Sequence, residues 1–213
     1  MLTAPRTVRR RFVAGTTGWT ASALDDPRIE PLWEGGHFEI VEGVLTRMPS
    51  AHYDSSVALS RLIGIMLPAI READPRAVIP MEVDVIVGER RVPKVDALYL
   101  SQEDRGRQKQ LNALHGRGTR KTLRYGRILV PPTLIIESLS RGHEDHDRLT
   151  KRGWFAEMKV PNYWLLNYFD ESLECLKLID DGYVTDASGR GQQEVRPGLF
   201  PSLVIPLARL WED

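Results

Sequence analysis

The sequence has little cysteine and no long apolar run. Cys175 is the only cysteine, which excludes an intramolecular disulfide, a thiolate zinc site and a CxxC redox pair. The longest apolar run, residues 62–70, contains Gly64 and Pro68 and is far shorter than the roughly 20 residues of a membrane-spanning helix. The basic N-terminus is not followed by an apolar stretch long enough for export. We therefore expect a cytoplasmic protein in a reducing compartment, with no membrane partner.

The chain of 213 residues also has no net charge, because its 29 Lys and Arg residues balance its 29 Asp and Glu residues. The chain is therefore not a generally basic protein, although one segment is strongly basic and contains no acidic residue. Its basic residues are Arg105, Arg107, Lys109, Arg117, Arg120, Lys121, Arg124 and Arg127. These side chains could track a phosphate backbone through counterion release. A solvated loop without a ligand is the alternative that the sequence leaves open.

The length and the 42% hydrophobic content are typical of a soluble globular chain. We expect a flexible basic arm at residues 1–18 and a single domain at residues 19–213, with the basic insert at residues 101–131. No GxGxxG, GxxxxGK[ST], HExxH or GxSxG motif occurs, so the sequence does not support a nucleotide-dependent motor, a zincin or a serine hydrolase.

Hydrophobic periodicity in the first half predicts a hairpin, a helix and two strands. Residues 38–48 alternate around a Glu42-Gly43 turn signal. Residues 52–73 repeat apolar side chains every three or four positions, which is typical of a helix with one buried face. Residues 77–100 are rich in Val with Gly88 in the middle, which predicts two antiparallel strands that place Glu82 and Asp84 on one face.

The second half predicts a buried strand, a second helix and further strands. Residues 134–136 are continuously apolar, as in a central strand covered on both faces. A helix should follow, burying Leu149, Trp154, Phe155 and Met158, and then two strands and a third after an Asp181-Gly182 turn. The predicted fold class is α/β, with a mixed sheet flanked by helices.

Three acidic residues lie in apolar stretches of the sequence, where an acidic side chain has no evident structural role. Asp96 interrupts an apolar strand, Glu137 follows a buried strand, and Glu39 lies between Phe38 and Ile40. A buried carboxylate is costly unless it is paired or binds a cation. If the strands of Asp96 and Glu137 are neighbours, the two carboxylates could hold Mg²⁺, which needs few protein ligands. Such an ion activates water and polarises a phosphodiester.

A lysine near these carboxylates would stabilise the negative charge of a transition state. Lys151 is the candidate, because it lies on the helix that leaves the Glu137 strand. Alternatively, Lys151 forms an exposed ion pair with Asp147 four residues before it. His143 and His146 nearby could form a metal site with acidic neighbours, or this stretch could simply begin a helix whose dipole favours acidic residues.

Five motifs together resemble one known family. They are FEIVEGVL, VDALYL, IIESLS, DRLTKRGWFAEMKVPNYWLLN and FPSLVIPLARLW, in this order between about Trp19 and Trp211. Their order and spacing resemble the Uma-type putative restriction endonuclease family, a branch of the PD-(D/E)XK nuclease superfamily. The resemblance implies a restriction-endonuclease-like core with a site that depends on Mg²⁺ or Mn²⁺.

The resemblance also implies a role for each matching residue. Asp96 and Glu137 resemble the metal-binding acids, which the main-chain carbonyl of Ser138 would join. Glu39 resembles the N-terminal acidic residue and Lys151 a displaced catalytic lysine. The auxiliary candidates are Glu82, Asp84 and Asp147. The chain departs from the superfamily pattern at Leu139, where the lysine usually stands, and at Val95, where a proline is usual.

These observations predict Mg²⁺-dependent phosphodiester hydrolysis of nucleic acid, with DNA endonuclease activity as the specific expectation. A catalytically silent nuclease-like domain that binds nucleic acid or a protein is the alternative, and RNA is an alternative substrate. A homodimer is a further open alternative by analogy, because cleaving both strands at once usually requires two sites.

Overall fold

The computed structural model describes residues 11–115 and 126–212. The strands of this part of the chain are β1 (Phe38–Val41), β2 (Val44–Arg47), β3 (Met81–Asp84), β4 (Lys94–Tyr99), β5 (Leu134–Ser138), β6 (Asn162–Asn167), β7 (Ser172–Ile179), β8 (Gly182–Arg190), β9 (Glu194–Val195) and β10 (Ile205–Pro206). The α-helices are α1 (Glu30–Glu34), α2 (Tyr53–Ala73), α3 (Gln102–His115), α4 (Arg152–Glu157) and α5 (Ala208–Trp211). None of these helices is long and apolar enough to cross a bilayer.

A six-stranded mixed sheet forms the centre of the fold, with the strand order β3-β4-β5-β6-β7-β8. Strands β5 and β6 are parallel and the other neighbours are antiparallel. The predicted mixed sheet flanked by helices is confirmed. The apolar run in β5 lies inside the sheet and is fully buried, as its lack of polar alternation predicts.

Two hydrophobic cores cover the two faces of this sheet. Helix α2, which confirms the helix predicted for residues 52–73, packs Leu62 against the face that carries Ile136. Helix α4 packs Phe155 against the face that carries Ile135. Because side chains alternate along a strand, Glu137 follows the side of Ile135 and leaves the sheet toward the segment that precedes α4.

A third, smaller core joins the N-terminal segment to the β1–β2 hairpin. The hairpin turn is the predicted one, since Glu42 and Gly43 both have positive φ angles, as a type I′ turn requires. Phe12 packs edge-on against Trp19 and Phe38. The expected flexible arm at residues 1–18 is therefore wrong for residues 12–18, which pack against and hydrogen-bond to the hairpin. Residues 1–10 lie outside the described part of the chain.

The helix after β5 does not start as a regular α-helix. Its segment His146–Lys151 is π-helical, so each backbone hydrogen bond there spans five residues rather than the four of α4. Lys151 is buried there, whereas Leu149 is 68% exposed. The prediction that Leu149 lies in the core is therefore wrong, because the buried face of the helix carries Asp147 and Lys151, and a residue midway between them lies on the opposite face. Trp154 and Phe155 are buried as predicted.

The basic insert is helical in its first half rather than a loop. Helix α3 carries Arg105, Arg107 and Lys109, and Gln108 on its buried side bonds to the backbone of Arg127 and Leu129. The basic residues Arg117, Arg120, Lys121 and Arg124 lie outside the described residues. The described parts of the insert are therefore held against the sheet domain at both ends.

Candidate active site

Two neighbouring strands bring Asp96 and Glu137 together. In the β4–β5 ladder Ala97 pairs with Ile136, so the two acids lie opposite each other. The amide of Asp96 donates to Glu137 Oε2 at 3.3 Å, and the amide of Ser138 donates to Asp96 Oδ2 at 2.6 Å. Each carboxylate is therefore oriented by the backbone of the opposite strand.

Glu39 reaches the same place from the β1–β2 hairpin. Ile40 forms a backbone bridge with Val92 just before β4, which aligns β1 beside the sheet edge. Glu39 Oε1 then accepts from the Lys94 amide at 3.2 Å, and Glu39 Oε2 lies 2.9 Å from His146 Nε2. The carboxylate of Glu39 is only 1% exposed, so protein groups rather than bulk water surround it.

Lys151 connects these carboxylates. Its ammonium lies 3.0 Å from Glu39 Oε1, 3.1 Å from Glu137 Oε1 and 3.2 Å from Asp147 Oδ1. The ion pair with Asp147 that the spacing suggested is real, but it is buried and shared with two further acids. The alternative of an exposed ion pair is therefore wrong, and Lys151 reaches the glutamate from the helix although Leu139 occupies the usual position.

Negative charge exceeds positive charge in this cluster, and the pKa values of its carboxylates and of Lys151 are shifted as a result. Burial raises the pKa of Asp96 to about 6, and burial together with the neighbouring acids raises the pKa of Glu137 well above its usual range. Burial alone would lower the pKa of Lys151, but Glu137, Glu39 and Asp147 outweigh it and keep the amine charged. Burial opposes the charge of Glu39 as well, yet Lys151 and His146 hold its pKa below the usual value.

The donor set fits a hard divalent cation that keeps several of its waters. Nowhere in residues 11–115 and 126–212 do three His, Cys, Asp or Glu side chains form a group that could hold a metal ion. The histidine and carboxylate site considered for His143 and His146 is therefore absent, and His146 pairs with Glu39 instead. Mg²⁺ needs only one or two carboxylates, with water and substrate oxygens completing its octahedron. Asp96 and Glu137, on adjacent strands beside a cavity of about 110 Å³, meet that need.

The auxiliary acids divide into two groups. Glu82 and Asp147 line the cavity, and Glu82 contributes to the raised pKa of Asp96. Asp84 does not line it, because its carboxylate accepts from Trp33 Nε1 at 2.6 Å and from Arg127 Nε at 3.2 Å, with Lys94 Nζ at 3.1 Å. The expectation that Asp84 assists the site directly is wrong, since these groups already satisfy its charge.

The structure separates the basic candidates for nucleic-acid contact. Arg127 is only 5% exposed and pairs with Asp84, so it cannot clamp a phosphate backbone, and that prediction is wrong. Arg107 is exposed but pairs with Asp104, and Arg105 donates to the carbonyl of Arg76. Lys109 is exposed on the same helix.

Sequence reasoning missed Ser55 as part of the cavity wall, and it gave His146 a different role. His146 was considered only as a metal ligand, but it lies 2.9 Å from Glu39 Oε2 outside the cavity lining, whereas His143 is a lining residue. Ser55 lines the cavity from the start of α2, and only its place in the first helical turn marked it. His52, in contrast, packs its ring against Phe169 and is not a lining residue.

Comparisons with known proteins agree with this architecture. The model of the Uma2 family, described as "Putative restriction endonuclease", matches residues 28–208. The chain is similar to the crystal structure of a putative nuclease belonging to DUF820 from Anabaena variabilis, with a TM-score of 0.60 and 14% sequence identity. That similarity covers 82% of this chain and 89% of the other. No curated protein matches. With most of its length matched by the family model, the chain belongs to the Uma2 family of putative restriction endonucleases.

Proposed function

We propose that the protein is a Mg²⁺- or Mn²⁺-dependent endonuclease that hydrolyses phosphodiester bonds in DNA. The family and the nuclease-like fold support a nuclease. Metal dependence is inferred from the paired carboxylates and from the excess negative charge around them. DNA as the substrate is inferred from the description of the family.

Asp96 and Glu137 would hold the metal ion, together with the main-chain carbonyl of Ser138. The ion, when bound, supplies an activated water and polarises the scissile phosphate. The two carboxylates are already oriented by backbone amides, so little reorganisation is needed on binding. A cation would also lower the pKa of Asp96 from about 6, because it favours the ionised carboxylate.

Lys151 would act as a fixed positive charge rather than as a base. Its neighbouring carboxylates raise its pKa, so the amine keeps its proton. A charged ammonium beside the reacting phosphate stabilises the negative charge that grows in the transition state. Glu39, which accepts from the Lys94 amide and lies beside His146, would position Lys151 through their ion pair.

One observation carries this proposal: an antiparallel strand pair places Asp96 opposite Glu137, and Lys151 Nζ lies 3.1 Å from Glu137 Oε1. A structural ion pair alone needs one acid and one base. The additional buried acids have no such structural use, because they are costly without a cation.

A plasmid cleavage assay tests the proposal. Supercoiled and linear DNA are incubated with the protein in Mg²⁺, Mn²⁺ or EDTA, and Glu137→Gln and Lys151→Met are compared with the wild type. Lys159→Met is the matched control, because Lys159 pairs with Asp181 at the exposed surface. We expect cleavage that requires the metal and is lost in both site variants but not in the control.

Inactivity of the folded wild type in both metals would contradict the proposal. If that inactive protein still shifts DNA, a silent nucleic-acid-binding domain becomes the better explanation. Cleavage of RNA but not DNA would retain the chemistry and change the substrate.

A further inference from the structure

Two hydroxyl groups in the cavity wall have no hydrogen-bond partner among the residues that the structure describes. They are Ser55 Oγ and Ser138 Oγ, and both are shielded from solvent. Ser55 is only 3% exposed. A buried hydroxyl without a partner costs free energy, so native proteins rarely retain one unless something else satisfies it. The shared position of these two groups in one cavity suggests a ligand.

Ser55 belongs to the first turn of α2, which is 21 residues long. The first-turn amides of a helix have no partner within the helix, and the side chain of His52, the N-cap residue, makes no capping hydrogen bond to them. The aligned peptide dipoles place partial positive charge at this end. The turn therefore combines amide donors, a buried hydroxyl and a field that favours an anion.

The acidic side chains of the cavity do not belong to this wall. Asp96, Glu137 and Asp147 come from β4, β5 and the π-helical turn, whereas Ser55 and Ser56 come from α2. Asp54, the acid of the first turn of α2, does not line the cavity, and its carboxylate lies 3.4 Å from His52 Nδ1. The lining residues that α2 contributes therefore carry no negative charge.

We propose that Ser55 and the first turn of α2 form a phosphate subsite, which binds a non-bridging oxygen of a nucleic-acid phosphodiester. This inference rests on the proposed nuclease function and adds a substrate-binding residue to it. The hydroxyl of Ser55 donates to the phosphate oxygen, and the helix dipole favours the negative charge. Because side chains alternate along β5, the Ser138 hydroxyl lies on the face of the sheet that α2 covers, opposite to the face of Glu137.

Replacing Ser55 by alanine separates this role from a structural one. A hydroxyl that binds only the substrate contributes nothing to the folded protein alone, so we expect the Tm of Ser55→Ala to stay unchanged or to rise. Loss of one hydrogen bond to a charged group should raise the KM for DNA by about tenfold or more. The Kd for Mn²⁺ alone, measured by calorimetry, should change by less than about twofold, because the carboxylates remain intact.

Ser60→Ala is the matched control, since Ser60 is an exposed serine of the same helix that does not line the cavity. Ser55→Thr retains a hydroxyl and should recover most of the lost affinity. Unchanged KM in Ser55→Ala would overturn the subsite. A lower Tm together with weaker Mn²⁺ binding would also overturn it, because both indicate a structural role.

A second experiment tests the phosphate subsite even if the proposed nuclease activity is absent. If the wild type does not cleave DNA, anisotropy of a fluorescent duplex oligonucleotide in Mn²⁺ measures binding directly. Weaker binding by Ser55→Ala than by Ser60→Ala then supports the subsite without catalysis. Equal binding by the two variants overturns it.

Discussion

Replacing Lys151 by methionine should destabilise the protein more than any other single loss of charge in the cavity. Its side chain is 4% exposed, and its ammonium lies within 3.2 Å of three carboxylates, on Glu39, Glu137 and Asp147. Methionine has similar length and no charge, so packing is retained while the carboxylates lose their shared cation. Removing one partner of a buried ion pair costs about 3–5 kcal/mol.

Thermal and urea unfolding at neutral pH measure this cost. For a chain of this size we expect a decrease in Tm of roughly 6–20 °C, since each kcal/mol corresponds to about 2–4 °C. The exposed Lys159→Met control should show no measurable decrease. Without Lys151 the folded-state pKa values of the acids rise, so the destabilisation should diminish as the pH falls and the carboxylates become protonated.

Mn²⁺ supplies a second readout of the same variant. Because the metal would compensate part of the negative charge, it should restore stability to Lys151→Met more than it stabilises the wild type. A loss below about 1 kcal/mol at neutral pH would refute the reasoning, since a buried cation with three acidic partners cannot be removed so cheaply.

Four further predictions follow from particular residues. The pKa of Asp96 is raised to about 6, so below that pH a proton competes with the metal for its carboxylate. Calorimetry should therefore show that the affinity for Mn²⁺ falls as the pH decreases below about 6. An affinity that does not change with pH would exclude Asp96 as a ligand. Asp96 binds this proton more tightly in the folded than in the unfolded state, so its own contribution to the stability of the metal-free protein should decrease as the pH rises from 3.8 to about 6, and urea unfolding of Asp96→Asn should lack that contribution. Arg127→Met should lower the free energy of unfolding in urea by about 3–5 kcal/mol, because it leaves the buried Asp84 beside fewer cations. An equal decrease in Arg107→Met, whose ion pair with Asp104 involves an exposed arginine, would contradict the buried role of Arg127. Lys109→Ala should reduce the salt dependence of DNA binding by about one counterion, and an unchanged slope would show that α3 does not contact phosphate.

Local sequence patterns were sufficient to predict the elements whose residue types recur at a regular spacing or occupy a particular turn position. The Glu42-Gly43 pair predicts its turn because two positive φ angles are required there. Residues 52–73 predict a helix because the apolar spacing matches 3.6 residues per turn. The apolar run in β5 predicts a central strand because both of its faces must be covered. The unexplained acids of β4 and β5 also pointed to each other, since an isolated buried carboxylate is too costly.

The remaining features of the site depend on contacts between residues that are distant in sequence. Asp84 and Glu82 are two residues apart, yet only the fold brings Arg127, 43 residues away, to Asp84 and leaves Glu82 at the cavity. The carboxylates of Glu39 and Glu137, far from Lys151 in sequence, surround its ammonium on the buried side of the helix, and Leu149 lies on the exposed side.

The sequence by itself determined the β1–β2 hairpin, helix α2 and the buried strand β5, and it identified Asp96, Glu137 and Lys151 as candidates, because hydrophobic spacing and buried charge are local properties. Only the tertiary structure decided which charges are neutralised and which remain available. It assigned Arg127 to a buried ion pair, joined His146 to Glu39, and left the hydroxyl of Ser55 without a partner among the described residues. The physical reason is that the energy of a polar group depends on its neighbours in space, and those neighbours come from elements far apart in the chain.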